Sequence, residues 1–135
     1  MEADVRSVGS RDVLTARVLV IGGRDISTNR IVSILRRSGF DVVTCSEGIE
    51  GMMKLDESPC QVVILDEGLP NCRETCQQIR EVFHVPVLLL GDHSDDGYWQ
   101  RTESMEIDAH VPKTVSGREL IAWMRTILRR YADAD

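Results

Sequence analysis

The 135 residues of the chain, with a hydrophobic fraction of 42% and a charged fraction of 28%, have the composition of one globular domain with one core. A net charge of −6 and a pI near 5.1 lack the basic excess that nucleic acid phosphates require, so we expect no direct nucleic acid binding. No secretory signal and no apolar run of roughly 20 residues is present. We therefore expect a cytoplasmic chain with no membrane partner and four reduced cysteines.

From residue 16 onward, apolar runs alternate with amphipathic segments, whereas residues 1–15 are polar and are predicted to form a flexible leader. The apolar runs predict five strands, at 16–21, 41–45, 61–65, 85–90 and 109–111, and the near-continuous run at 16–21 is typical of a strand covered on both faces. Helical periodicity predicts five helices: Ile26 to a left-handed cap at Gly39, Glu47 to about Leu55 after a Ser46 cap, Cys72–Phe83, a weaker segment around Tyr98–Met105, and a last helix to about Arg130 opened by a Ser116–Glu119 capping box.

Helical spacing also predicts the apolar faces. They carry Ile26, Ile31, Ile34 and Leu35 in the first helix, Ile49, Met52, Met53 and Leu55 in the second, and Leu120, Ile121, Met124, Ile127 and Leu128 in the last. Strict alternation of strands and helices indicates a doubly wound α/β fold with a parallel sheet. Chemistry in such folds collects at the carboxyl ends of the strands, which here carry Gly22 and Gly23, Asp66, Gly91 and Lys113.

The glycine pair after the first strand suggests a phosphate cradle, but the pattern is incomplete. Neither a G-x-G-x-x-G nor a G-x-x-x-x-G-K-[ST] motif is present around Gly22 and Gly23. A tight strand-to-helix turn is the favoured interpretation. Small-ligand binding through this loop stays open, since backbone N–H groups near a helix start attract anions weakly.

An ordered set of motifs resembles the receiver domain of bacterial two-component response regulators over Arg17 to Arg130. The motifs are VLVIGG at 18–23, SGFDVV at 38–43, VVILDEGLP at 62–70 with its D-x-x-x-P, VPVLLL at 85–90, VPK at 111–113 and RELIAWMRTILRR at 118–130. The resemblance implies a flavodoxin-like five-stranded sheet of order 2-1-3-4-5 with five helices. It also implies a receiver-like domain at 16–131 and a tail at 132–135 that could begin a linker to an output domain.

In that family, an aspartate at the place of Asp66 accepts a phosphoryl group, and a lysine at the place of Lys113 contacts the phosphoryl oxygens. The rest of the family's site departs from this pattern: Gly22 and Gly23 replace an acidic pair, Gly91 a hydroxyl residue, His110 an aromatic residue and Thr114 a proline. A divalent cation normally offsets the charge of the attack, and Mg²⁺ needs oxygen ligands. We therefore expect weak or no Mg²⁺ binding, unless Asp25 or Asp92 substitutes for the pair. No other cofactor and no catalytic residue are expected, and the Lys113–Thr114 peptide is predicted to be trans.

The resemblance further suggests an interaction module that does not depend on phosphorylation. Its face would be the fourth helix, the fifth strand and the last helix, and it would bind a protein partner or a second copy; candidate residues are Asp108, Glu119, Trp123, Arg125 and Arg129. Whether Trp123 is an exposed hot spot or a buried residue stays open. The domain could regulate transcription through an attached output domain. The alternatives are a working phosphoacceptor at Asp66 and a small-ligand-binding domain.

Overall fold

The computed structural model of the chain describes residues 16–23 and 25–133, so the predicted leader lies outside the described residues. Five parallel strands form one sheet in the order β2-β1-β3-β4-β5, which confirms the predicted topology. The strands are β1 Arg17–Ile21, β2 Asp41–Cys45, β3 Val62–Asp66, β4 Val87–Gly91 and β5 Ala109–Pro112. All residues of β3 and β4 are buried, as the continuous apolar runs predicted for strands covered on both faces.

The helices are α1 Ile26–Arg37, α2 Gly48–Glu57, α3 Cys72–Val82, α4 Tyr98–Arg101 and α5 Gly117–Asp133. The cap predicted at Gly39 has a φ of 101°, and the Ser116–Glu119 capping box forms with a Glu119 N to Ser116 Oγ distance of 3.1 Å. Helix α4 has only four residues, shorter than predicted. Helix α5 continues to Asp133, so the predicted tail begins inside it.

Two hydrophobic clusters lie on opposite faces of the sheet. One joins the inner faces of α1 and α5 to β-strand side chains; its largest fully buried members include Ile31, Leu35 and Leu120. The other lies under α2, α3 and α4; it includes Leu65, Ile79 and Tyr98. The two clusters cover the sheet on both faces, and the carboxyl ends of its parallel strands lie at one edge of the molecule.

The predicted buried faces of α1 and α2 were wrong at three positions. Ile26 is 86% exposed, Ile49 75% and Met53 58%. The reason in α2 is Gly51, which approaches the sheet so closely that an added Cβ would lie 2.4 Å from Ile21 Cδ1. The helix therefore packs through its glycine and Leu55, and the opposite face turns outward. Ser46 does not cap this helix, because Glu47 occupies the N-cap position and makes no side-chain cap bond.

The four cysteines are packed as free thiols. Burial raises the pKa of Cys45 to about 11 and that of Cys72 to about 12, so both are protonated and weakly nucleophilic at neutral pH. Burial also raises the pKa of Cys60 and Cys76. In the part of the chain that the structure describes, no helix is both long and apolar enough to cross a membrane.

Candidate functional site

The carboxyl ends of β1, β3, β4 and β5 bring the predicted site residues together. Asp66 Oδ1 lies 3.3 Å from Lys113 Nζ. The Lys113 backbone N–H donates to the Gly91 carbonyl at 3.0 Å, which ties the loop after β5 to the end of β4. Gly22 lies against Asp66. The strand order therefore places these residues at one edge, as the sequence predicted.

Asp66 is 4% exposed, and both of its carboxylate oxygens have protein partners. Oδ1 accepts from the Gly68 backbone N–H at 2.9 Å in addition to its contact with Lys113. Oδ2 accepts from the Thr28 hydroxyl at 3.2 Å. A buried charge needs such compensation, and Lys113, Thr28 and Gly68 contribute to it.

Lys113 bridges two carboxylates, since its Nζ lies 3.3 Å from Asp25 Oδ2 as well as from Asp66. Partial burial lowers the Lys113 pKa, but the two carboxylates raise it by more, so the pKa lies above its ordinary value. Asp25 also caps α1 by accepting from the Thr28 backbone N–H at 2.7 Å. That bond, the largest contribution, and Lys113 together hold the pKa of Asp25 below its ordinary value.

The loop after Lys113 is held from α1. All peptide bonds in the described residues are trans, including the bond to Thr114, which confirms that prediction. Arg30 donates to the Lys113 carbonyl at 2.8 Å and to the Val115 carbonyl at 2.7 Å. Thr114 itself is exposed. Backbone hydrogen bonds from an arginine therefore order this loop.

The two glycines after β1 have different surroundings. A Cβ on Gly22 would lie 2.6 Å from Asp66 Cβ, whereas a Cβ on Gly23 would meet nothing within 4 Å. A cavity of about 260 Å³ opens beside both glycines, and Arg36 and Glu50 contribute its charged lining. Among the described residues, no group of three or more His, Cys, Asp and Glu side chains is arranged to hold a metal ion.

At the end of β4, Gly91 is covered by the fully buried ring of Tyr98, whose hydroxyl lies 2.8 Å from His110 Nδ1. Trp99 packs beside His110 with ring centroids 4.9 Å apart and is 51% exposed. Asp92 is exposed and accepts from Ser94 N–H and Oγ at 3.0 and 2.5 Å. This carboxylate is engaged in its own turn.

Asp108 does not belong to the predicted interaction face. Its Oδ2 accepts from Arg80 at 2.7 Å and from the Val87 backbone N–H at 2.8 Å, and its Oδ1 accepts from the Tyr131 hydroxyl at 3.0 Å. Its side chain is 13% exposed. The carboxylate links α3, β4 and α5 internally, so this candidate is corrected to a structural residue.

The other candidates for that face lie on the outside of α5. Trp123 is 37% exposed, and Arg125 and Arg129 are exposed. Glu119 is exposed and takes part in the capping box with Ser116. Trp123 is therefore partly available to a partner, which answers the question that the sequence left open.

Sequence reasoning missed four residues that shape the site: Thr28, Arg30, Tyr98 and Trp99. Thr28 reaches Asp66 across 38 positions of sequence, and Arg30 reaches Lys113 across 83. Such contacts have no local pattern. The aromatic pair Tyr98–Trp99 after an acidic loop was a visible signal, because large aromatic residues are infrequent in this chain.

The family model for the response regulator receiver domain matches residues 18–125 of the chain. The chain is 39% identical over 121 residues to the transcriptional regulatory protein CpxR homolog of Haemophilus influenzae, covering 87% of this chain and 52% of that protein. It is 30% identical over 122 residues to the alkaline phosphatase synthesis transcriptional regulatory protein PhoP of Bacillus subtilis, covering 87% and 50%. The chain thus spans about half the length of these curated relatives.

Solved structures show the same fold. A CheY-like response regulator receiver domain from Methanospirillum hungatei superposes with a TM-score of 0.76 at 16% identity, covering 90% of this chain and 99% of that one. The receiver domain of the sensor histidine kinase PA1611 from Pseudomonas aeruginosa, solved with a magnesium ion in its active site cleft, gives a TM-score of 0.76 at 17% identity, covering 84% and 98%.

Proposed function

Because the chain belongs to the response regulator receiver domain family, we propose that it is an atypical receiver that works by protein interaction without phosphorylation of Asp66. The observation that carries this proposal is the state of the Asp66 carboxylate. Lys113, Thr28 and Gly68 satisfy both of its oxygens inside the protein. Both oxygens of the Asp66 carboxylate are thus engaged by protein groups, and Lys113 is shared with Asp25.

The donor set around Asp66 supports weak or absent Mg²⁺ binding. Mg²⁺ requires near-octahedral oxygen ligands and usually more than one carboxylate. Gly22 and Gly23 offer no side-chain oxygen, and the nearby Asp25 is engaged as a helix cap and as a partner of Lys113. Asp92 is exposed and bound to Ser94. The two substitutes considered for the acidic pair are therefore already committed to other contacts.

Transfer of a phosphoryl group to Asp66 would be poorly supported at two further points. A hydroxyl at the end of β4 normally holds phosphoryl oxygens, and Gly91 has none. The ring of Tyr98 covers that position. Without the hydroxyl and without a divalent metal ion, Lys113 alone would offset the charge that develops when Asp66 attacks the phosphoryl group.

A second copy of the chain is the partner that the proposal favours. The exposed surface of α5 carries Trp123, with Glu119 one turn before it, and also the exposed Arg125 and Arg129. In a two-fold dimer the same patch faces itself, so opposite charges on one helix can pair across the axis. Since the relatives are transcriptional regulators, a dimer of this kind would bring two attached output domains together in a longer parent protein.

A working phosphoacceptor is the second candidate, favoured by the 3.3 Å approach of Lys113 to Asp66. Small-ligand binding at Gly22 and Gly23 has the cavity of about 260 Å³ in its favour. Within the described lining of that cavity Arg36 is the only basic side chain, and it donates to the Val42 carbonyl at 3.2 Å. That engagement makes ligand binding the weaker candidate.

Intact mass spectrometry after treatment with acetyl phosphate and Mg²⁺ tests the proposal. We expect no phosphoryl adduct on the wild type, while a phosphorylation-competent receiver in the same reaction gains one. The Asp66→Asn variant is the matched control. An adduct on the wild type that the variant lacks would overturn the proposal and establish Asp66 as a phosphoacceptor.

A further inference from the structure

Gly91 and Tyr98 are complementary in size. A Cβ placed on Gly91 would lie 2.1 Å from Tyr98 Cε1 and 2.8 Å from Tyr98 Cδ1. Both positions are buried, and Tyr98 has no exposed surface. The Tyr98 ring thus fills the space into which any side chain at position 91 would project, so glycine there is a packing requirement.

The Tyr98 hydroxyl extends this contact to β5. It lies 2.8 Å from His110 Nδ1, with the two rings edge-on at 5.8 Å. Burial raises the Tyr98 pKa, so the phenol stays protonated at neutral pH. Burial, and to a lesser degree His93, lower the His110 pKa, which keeps the imidazole neutral, and its tautomer sets which of the two groups donates. The side chain therefore connects the end of β4 to β5.

Trp99 follows Tyr98 directly and packs against it. The two rings meet edge-on at 4.8 Å, and the indole also packs against His93 and His110 at 4.9 Å each. Helix α4 is too short to be stable by itself, since a single turn barely forms its first hydrogen bonds. The buried Tyr98 ring and the Arg101 ion pairs to Glu67 and Asp95 hold it instead.

We propose that Tyr98 is an internal lock: its ring on Gly91 and its hydroxyl on His110 hold residues 92–104 in one arrangement and present the Trp99 indole on the surface. The lock makes Tyr98 a positioning residue for Trp99. The proposal deepens and rests on the proposed function, because it explains how an interaction surface is kept ready without a chemical event at Asp66. Gly91 leaves the space that the Tyr98 ring occupies, so the missing side chain at position 91 is part of the packing.

Substitutions that change the side-chain size at positions 91 and 98 provide the test. They are made in a Trp123→Phe background, which leaves Trp99 as the remaining tryptophan. Hydrogen exchange in 92–104 and acrylamide quenching of Trp99 fluorescence are measured for Gly91→Ala, Tyr98→Ala, the double variant and Tyr98→Phe. We expect Gly91→Ala and Tyr98→Ala each to raise exchange by more than about tenfold and to expose Trp99 to the quencher. Tyr98→Phe keeps the ring and should raise exchange by about fivefold, the effect of one lost hydrogen bond.

The double variant is the decisive arm. Once the ring is gone, Gly91→Ala has space, so Gly91→Ala with Tyr98→Ala should match Tyr98→Ala alone. Additive effects, or unchanged exchange and quenching in Gly91→Ala, would overturn the lock. Exchange in α5 reports global unfolding; if Tyr98→Ala unfolds, Gly91→Ala and Tyr98→Phe still decide. A phosphoryl adduct on Asp66 would contradict the proposed function but leave these measurements on unphosphorylated protein unaffected, so the two failures are distinguishable.

Discussion

Gly22 and Gly23 are neighbours in sequence, yet their backbones have different freedom to carry a side chain. Gly22 is pressed against Asp66, with 2.6 Å between the Asp66 Cβ and an added Cβ, whereas Gly23 faces open space. The two positions that the family fills with acids are thus unequal in this chain. Gly22 could take a carboxylate only if β1 and β3 shifted, and Gly23 could take one directly.

We therefore predict that Gly22→Ala destabilises the protein by about 1–3 kcal/mol through overpacking. Gly23→Ala should be neutral or stabilising by up to about 1 kcal/mol, because alanine restricts the unfolded chain without a clash. Urea unfolding at equilibrium measures both, and each variant is the control of the other. Equal costs at the two positions would show that β1 does not press against Asp66 as the structure has it.

The Asp25 carboxylate predicts a specific pH dependence. Its pKa lies below the ordinary value of 3.8, chiefly through the bond from Thr28 N–H and also through Lys113. A carboxyl with a depressed pKa adds stability above its unfolded pKa, and this stability is lost as the pH falls through the folded pKa. Asp25→Asn should therefore be less stable than the wild type at pH 7, and the difference should shrink and then vanish as the pH falls below 3.8 and through the lower folded pKa.

The effect should stay below about 1 kcal/mol, since Asp25 is half-exposed and asparagine can still cap α1. Thermal unfolding across the pH range measures it. A Lys113→Met background tests the partner, because the part of the Asp25→Asn effect that comes from the ion pair should disappear there. A difference that persists unchanged at acidic pH would contradict the assignment to the charged carboxylate.

At the scale of secondary-structure elements, the Asp108 carboxylate links two helices and one strand. Asp108 binds Arg80 of α3, the backbone of Val87 at the start of β4, and Tyr131 of α5. The family resemblance placed Asp108 on an interaction face, since it matches a position of that face in receiver domains. The structure turns it inward, since the start of β4 and the side chain of Arg80 both need an acceptor at this place.

We predict that Asp108→Ala lowers the free energy of unfolding by about 2–4 kcal/mol, because it leaves a backbone donor and a partly buried guanidinium without their acceptor. Tyr131→Phe removes one hydrogen bond and should cost about 1 kcal/mol. Glu119→Ala, at an exposed capping position, is the control and should cost about 0.5–1 kcal/mol. If Asp108→Ala left stability intact and weakened self-association, Asp108 would be an interface residue after all.

Strands were easier to predict than helix faces, and the reason is physical. A strand covered on both faces needs apolar residues throughout, so β3 and β4 can be predicted from their apolar runs. A helix face depends on what it meets, and α2 meets the sheet through Gly51. Its apolar Ile49 and Met53 therefore match the helical period without being buried.

Some residues of the candidate site could likewise be predicted from the sequence, and others could not. Asp66, Lys113 and the glycines could be predicted because each lies at a strand end, where the order of parallel strands fixes their meeting. The Tyr98 lock could not, because it depends on a ring reaching back to Gly91 and on a hydroxyl reaching His110. Side-chain packing of that kind has no period and no fixed spacing.

At the scale of the whole molecule, the proposed function implies that self-association depends on the contacts of the exposed surface alone. An interaction surface that needs no chemical switch should associate at a constant strength, whatever the state of Asp66. The exposed surface of α5 supplies an aromatic residue and charges of both signs for such a contact. An aromatic residue near the centre of a small interface commonly contributes most of the binding energy.

Sedimentation velocity over a range of concentrations measures this self-association. We predict that Trp123→Ala weakens it by about tenfold or more, the usual effect of truncating a hot-spot residue. Added salt should weaken it as well, because the Glu119, Arg125 and Arg129 charges are exposed and screened. Ile49→Lys, which replaces an exposed apolar residue on α2 far from this face in the fold, is the control and should leave association unchanged. If Ile49→Lys weakened association and Trp123→Ala did not, the self-contact would lie on α2, because a substitution weakens association mainly when its residue lies inside the interface.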